Sequence, residues 1–187
     1  MELIYILTLA IFIDICFGEI SNKFHPVAWL GKLISLEIKP SGYKSNAFQF
    51  WYGVIIVVFP TASISVFAYF AFNYLSAINQ IAYIFLGGLI YKFTFSLRDL
   101  LKAANSIKIL LGENRLYESR SNLNALVSRN VDQLDKEHII SATVESLAEN
   151  ICDSFIAPLF YFLLLGIPGA IAYRILNTFD TMIGYHG

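Results

Sequence analysis

Apolar residues in this chain gather into long runs, and polar residues gather between them. Residues 3–17 form the first run, with one carboxylate, Asp14, near its end. Residues 48–75 form the second, 28 positions without a charge and more than the ~20 needed to span a bilayer. Pro60 sits midway and marks a place for a kink. After a polar connector at 76–80, a third run covers 81–97, with Gly87 and Gly88 inside and Lys92 placed to snorkel. The fourth covers 155–175 and is broken at Gly166-Ile167-Pro168-Gly169. Each run predicts a membrane helix. The first is read as a retained helix rather than a secretory signal. No positive charge precedes it, and Cys16-Phe17-Gly18-Glu19 is a poor cleavage site.

Residues 98–152 have a different rhythm. Leu97, Leu100, Leu101, Ala104, Ile107, Ile109, Leu110 and Leu111 recur at helical spacing, up to a turn at Gly112-Glu113-Asn114. A second helix is predicted over 116–127. Asp135 is placed to cap a third, running through His138 to about Cys152. On that helix Ile140, Val144, Leu147, Ala148 and Ile151 form one apolar stripe. Glu145, Glu149 and Asp153 fall at i, i+4 and i+8 on the other side, flanked by Ser146 and Asn150. The expected fold class is all-α: a polytopic α-helical membrane protein with a helical cytoplasmic loop, in one integral membrane domain.

Composition agrees. Hydrophobic residues make up 57%, mean hydropathy is +0.61, and charged residues are 14%. Soluble domains carry about 25% charged residues. A net charge of −1 offers no field for nucleic acid. The two cysteines, Cys16 and Cys152, form no CxxC pair and are expected as buried thiols. Loop charge sets the orientation. Residues 18–47 carry Lys23, Lys32, Lys39 and Lys44, and residues 98–152 carry seven Lys/Arg, whereas the 76–80 connector carries none. Both basic loops are therefore expected in the cytoplasm, with the protein in the cell membrane.

The fourth run leaves two paths open. A full span would put Asp180 outside, opposite Glu145 and Glu149. A re-entrant turn at Gly166–Gly169 would return it to their side. Residues 155–165 are too few to cross upright at ~1.5 Å of rise per residue against ~30 Å of hydrocarbon. Acids serving one reaction should also face one compartment, and both points favour the turn.

The chemistry-bearing residues cluster at the ends of these runs. Glu145, Glu149 and Asp153 have no lysine partners at i+4 and adjoin the membrane, where unpaired acids are costly. The plain alternative is a solvated helix face. Carboxylates so spaced suit Mg²⁺ bound together with substrate phosphates. His25, Arg98, Arg120 and Arg129 are the remaining polar candidates, residues that in loops and at membrane ends are more often structural, anchoring or surface groups. No P-loop, dinucleotide-binding, nucleophile-elbow or zinc-protease signature is present.

HPVAWLGKLI (25–34), SLRDL (96–100), ESR (118–120), ATVESLAEN (142–150), APLFYF (157–162), GIPGAIAYR (166–174) and NTFDTMIGY (177–185) stand in one order over most of the chain. Together they resemble the CobD/CbiB family of cobalamin biosynthesis, the adenosylcobinamide-phosphate synthases. The resemblance implies a multi-pass membrane enzyme. Such an enzyme joins a propionate of adenosylcobyric acid to aminopropanol or its phosphate, driven by ATP with Mg²⁺. The bilayer and other corrinoid-pathway enzymes are its implied surroundings. Family members usually continue for about 100 residues past the final Gly-Tyr, the size of a further small domain. This sequence departs from the family pattern at Gly18-Glu19-Ile20, Arg129-Asn130 and Asp153-Ser154.

Carried onto this chain, the expected catalytic positions are His25 (a base), Arg98, Glu145, Glu149, Asn150 and Asp180. Arg120, Arg129 and Asn177 are expected to hold phosphate or propionate. Glu145, Glu149 and Asp153 are expected to organise the metal. The rival class is a non-enzymatic scaffold or transporter component, to which broken helices and intramembrane acids are also suited.

The orientation is testable. In a variant lacking Cys16 and Cys152, an Arg115→Cys substitution is expected to stay unlabelled by an impermeant thiol reagent in intact cells. Labelling from outside overturns it.

Overall fold

The computed structural model describes residues 1–18, 29, 31–32, 46–127 and 130–183. His25 and Arg129 lie outside them. Among the described residues all regular structure is helical: α1 (Glu2–Phe17), α2 (Asn46–Ile78), α3 (Gln80–Lys92), α4 (Arg98–Gly112), α5 (Leu116–Leu123), α6 (Lys136–Ile151), a π turn (Cys152–Ile156) and α7 (Ala157–Ile183).

Two helical stretches, Ala47–Ile78 and Lys136–Met182, are long and apolar enough to cross a membrane. Only 11% of the most apolar window of the first is buried within the chain. Phe59, Phe67 and Phe70 among others project outward, a surface that suits lipid rather than water. α1 and α3, with 16 and 13 residues, fall short of that length. Both cysteines are free and exposed rather than buried, because α1 buries only the face of Ile6, Ala10 and Asp14, and Cys152 opens the π turn on its outer side.

α1 and α3 run parallel. At one end Gln80 Nε2 donates to Glu2 Oε1 at 2.7 Å, and Asn79 caps α3 by accepting from Ile81 N–H and Ala82 N–H. Midway, Leu9 and Ile6 rest on Gly88 and Gly87; a Cβ at Gly88 would meet Leu9 at 2.7 Å, and one at Gly87 would meet Ile167 at 2.8 Å and Ile6 at 3.1 Å. At the other end the two helices are fastened by charge. Lys92 Nζ lies 2.9 Å from Asp14 Oδ1, with both side chains 2% exposed. Lys92 thus turns inward to a carboxylate rather than snorkelling, because Asp14 lies beside it within the bundle. Asp14 Oδ2 also accepts from Arg98 N–H at 2.9 Å, so α1's acid serves an unpaired donor at the start of α4. In return Arg98 Nη1 donates to Cys16 O at 2.9 Å, closing the end of α1. Both basic loops therefore leave from the same end of the bundle.

α4, α5 and α6 build a second core from Ile107, Leu111, Leu123, Val131, Ile139 and Ala142. Asp135 caps α6 as expected, and the His138 N–H it accepts at 2.9 Å holds its carboxyl below the usual carboxylate range. α5 ends at Leu123 rather than at residue 127. The apolar stripe of α6 is not its buried face. Ile139, Ala142, Thr143 and Ser146 are buried, while Ile140 and Val144 are 45% and 60% exposed. The helix is rotated because Ser146 Oγ donates to Leu126 O, drawing its small polar side against α5.

Truncating one member of a buried pair strands the other. Asp14→Leu is expected to destabilise the protein by about 3–5 kcal/mol in detergent unfolding, and Asp14→Leu with Lys92→Met to recover most of that.

Candidate functional site

The arrangement of the site follows from what α7 does at Gly166. Its φ of 68° and ψ of −157° lie outside the helical region, in a conformation open only to glycine. Pro168 falls in the first turn of the returning arm, where backbone N–H groups have no helical partner anyway. The two arms close on each other like a hairpin. A Cβ at Gly169 would sit 2.5 Å from Tyr161 O. The Tyr161 and Tyr173 rings stack with centroids 5.2 Å apart. Along one straight helix those rings would be about 18 Å apart. The outgoing arm leans on α3 through Phe162 on Tyr91, and Phe155 of the π turn packs on Phe95 just past that helix. The returning arm rests Ile175 and Phe179 against Ile56 and Val57 of α2. The turn meets α3 at Gly87, about 10 Å short of that helix's far end. The chain thus turns back inside the bundle, the re-entrant one of the two paths left open.

The returning arm comes down beside α6. Between them is a pocket of about 630 Å³. Glu145, Ser146, Glu149, Asn150 and Asp153 line one side, and Arg174, Asn177, Thr178 and Thr181 the other. Ala125, Leu126 and Val127 supply an apolar edge. The π turn matters here. It closes with Ala157 N–H on Cys152 O, one residue wider than an α turn. Asp153 lies within this turn and joins Glu145 and Glu149 on the pocket wall. Asn150 is oriented by donating to Ser146 O at 2.8 Å. Asn177 reaches Tyr173 Oη at 3.3 Å. Gly31, from the HPVAWLGKLI motif, lies beside Met182 at the end of α7.

Of the expected site residues, Glu145, Glu149, Asn150, Asp153 and Asn177 meet in this pocket. Asp180 shares their end of the molecule but is exposed and does not line it; its neighbours on the helix, Asn177 and Thr181, do. Arg98 and Arg120 do not line it either. Arg98 closes α1, and Arg120 Nε donates to Leu134 O at 2.8 Å, tying α5 to the loop before α6. Among the described residues no three His, Cys, Asp or Glu side chains converge closely enough to hold a metal ion by themselves. A Mg²⁺ here would take part of its shell from Glu145, Glu149 or Asp153 and the rest from phosphate oxygens and water, as Mg²⁺ commonly does. Arg174, Thr178 and Thr181 were not singled out from the sequence. Their i, i+4, i+7 spacing with Asn177 was the available signal, since it sets one polar face on an otherwise apolar arm.

The family model described as CobD/Cbib protein matches residues 7–187. The chain belongs to the CobD/CbiB family. It is 44% identical over its whole length to the cobalamin biosynthesis protein CobD of Dehalococcoides mccartyi, covering 61% of that protein. It is 38% identical to the probable cobalamin biosynthesis protein CobD of Methanococcus maripaludis, with 96% of this chain and 60% of that protein covered. To the Pyrococcus abyssi relative of the same description it is 35% identical, with 99% and 61% covered. The chain thus spans about three fifths of the length of these relatives. No solved structure matches it.

The CobD/CbiB pocket depends on the reversal. Gly166→Ala is expected to destabilise the protein by about 1–3 kcal/mol. Gly169→Ala, which meets backbone, should cost at least as much. Gly53→Ala, into open space on α2, should leave the detergent unfolding midpoint unchanged or higher.

Proposed function

We propose that this chain carries the amide-forming site of an adenosylcobinamide-phosphate synthase in cobalamin biosynthesis. The reaction joins a propionate carboxyl of adenosylcobyric acid to the amine of aminopropanol or its phosphate, at the expense of ATP. One observation carries the reading. The re-entrant turn brings the carboxylates of α6 and the polar face of the returning arm to one pocket at the end where both basic loops leave. Family membership and the cobalamin-biosynthesis names of the relatives support it.

The chemistry has two parts. The carboxylate oxygen attacks the terminal phosphorus of ATP, ADP leaves, and an acyl phosphate results. The amine nitrogen then forms the C–N bond as the C–O bond to phosphate breaks. Mg²⁺, when bound, offsets the phosphate charge. The amine reaches the pocket as an ammonium and must lose one proton to attack and a second as the amide forms. Glu149 and Glu145 attract the ammonium and accept a proton, with His25 a further candidate base. Asn150, oriented by Ser146, is placed to donate to an acyl or phosphate oxygen. The apolar edge at Leu126 and Val127 limits water near the activated acyl group.

In this reading the protein is a multi-pass protein of the cell membrane. The pocket and both basic loops face the cytoplasm, where ATP is. The loop charges and the common exit of both loops support that placement.

Mass spectrometry after purified protein meets adenosylcobyric acid, aminopropanol phosphate, ATP and Mg²⁺ tests the function. An ATP-dependent amide product is expected, and its absence refutes the reading. Glu149→Gln should lower the rate by about 100-fold or more with the unfolding midpoint unchanged. A variant that keeps most of its activity returns Glu149 to the role of a solvated surface group.

A further inference from the structure

We infer that the pocket is a two-ended donor site, in which Arg174 holds the anionic end of an aminoalkyl phosphate while the carboxylates of α6 hold its ammonium. The inference rests on the proposed function and deepens it by assigning the residue that selects a phosphorylated donor.

The charges are divided between the two sides. Glu145, Glu149 and Asp153 stand on α6 and the π turn. Arg174 stands on the returning arm and is the one cation lining the pocket among the described residues. Thr178 and Thr181 follow it at i+4 and i+7 on the same helix face, their hydroxyl groups donating to backbone carbonyls of that helix. The arginine matches the oxygens of a phosphate monoester, which it can bind through two parallel N–H donors. An aminoalkyl phosphate carries the complementary pair of charges at its two ends.

Two competitors fit less well. A corrin macrocycle is far larger than the drug-sized ligands held by pockets of about 300–1,000 Å³, so this one takes the small substrate and at most one propionate arm. A nucleoside triphosphate has no cationic end of its own to meet the three carboxylates, and its oxygens would reach them only through Mg²⁺. The zwitterion places each charge against its opposite.

Steady-state kinetics decide the matter, with aminopropanol phosphate and aminopropanol as alternative donors. Arg174→Met should raise KM for aminopropanol phosphate about tenfold or more, the loss of a charge-assisted contact. KM for aminopropanol, ATP and adenosylcobyric acid should each stay within about twofold, since no such contact with them is lost. Arg174→Lys should recover part of the loss. An equal loss with both donors, or a rise in KM for ATP instead, overturns the inference while leaving the amide synthesis intact. If no amide forms with either donor, the proposed function fails. Equilibrium dialysis of labelled aminopropanol phosphate then decides Arg174 alone: binding lost in Arg174→Met upholds the contact, and binding unchanged or absent from the unaltered protein refutes it.

Discussion

A backbone held away from water must satisfy its own hydrogen bonds, and a chain reversal inside an apolar bundle breaks that rule unless neighbouring chain covers it. The reversal at Gly166 meets the condition on three sides. α3 offers Gly87, against which Ile167 packs directly. The outgoing arm lies against the returning one so closely that Gly169 has no room for a methyl group. α2 closes the remaining side with Ala68 and Phe72, which share a core with Ile167 and Ala170. The glycines here sit where backbone conformation or space admits nothing larger. Everything chemical in the molecule depends on this turn, because without it the polar face of the last helix and the acids of α6 would lie at opposite ends.

The bundle that receives the hairpin has its own fastening. Asp14 and Lys92 form a buried pair where α1 and α3 end, and such pairs seldom add stability over a well-packed apolar contact. This pair does more than attract. Its carboxylate also takes the first N–H of α4, and the arginine carrying that N–H closes α1. Three helix ends are thereby satisfied by one another rather than by water. The geometry also sets direction, since it brings the exit of the first loop and the start of the second to one place. The pocket forms where that end of the bundle meets the α4–α6 core.

Between these supports the pocket has a divided character. One wall is acidic and half exposed, the other carries an arginine and hydroxyl groups on a helix arm that is otherwise apolar. The π turn joins the two kinds of structure. It carries the chain from an amphipathic surface helix into an apolar arm without a break, and it contributes Asp153 to the acidic wall. A site of this kind suits a small substrate with charge at both ends, delivered beside a membrane.

How much was legible in advance depended on how local each feature was. Helix ends were readable because their causes are short-range: the Asp135 cap, the Gly112-Asn114 turn and the Asn79 boundary each follow from a few adjacent residues. That Glu145 and Glu149 share a face was also readable, since spacing along a helix predicts it. The contacts of the arginines were not. Arg98 and Arg120 look like phosphate contacts in a linear chain, yet each spends its charge on a carbonyl many residues away. Lys92 looks like a snorkelling residue until Asp14 is set beside it. By itself the sequence determined which stretches are helical, which are apolar enough for lipid, and the family to which the chain belongs. The tertiary structure alone decided which face of α6 is buried, that the last helix returns, and that Arg174 faces the acids, because those outcomes turn on contacts between residues that spacing along the chain does not relate.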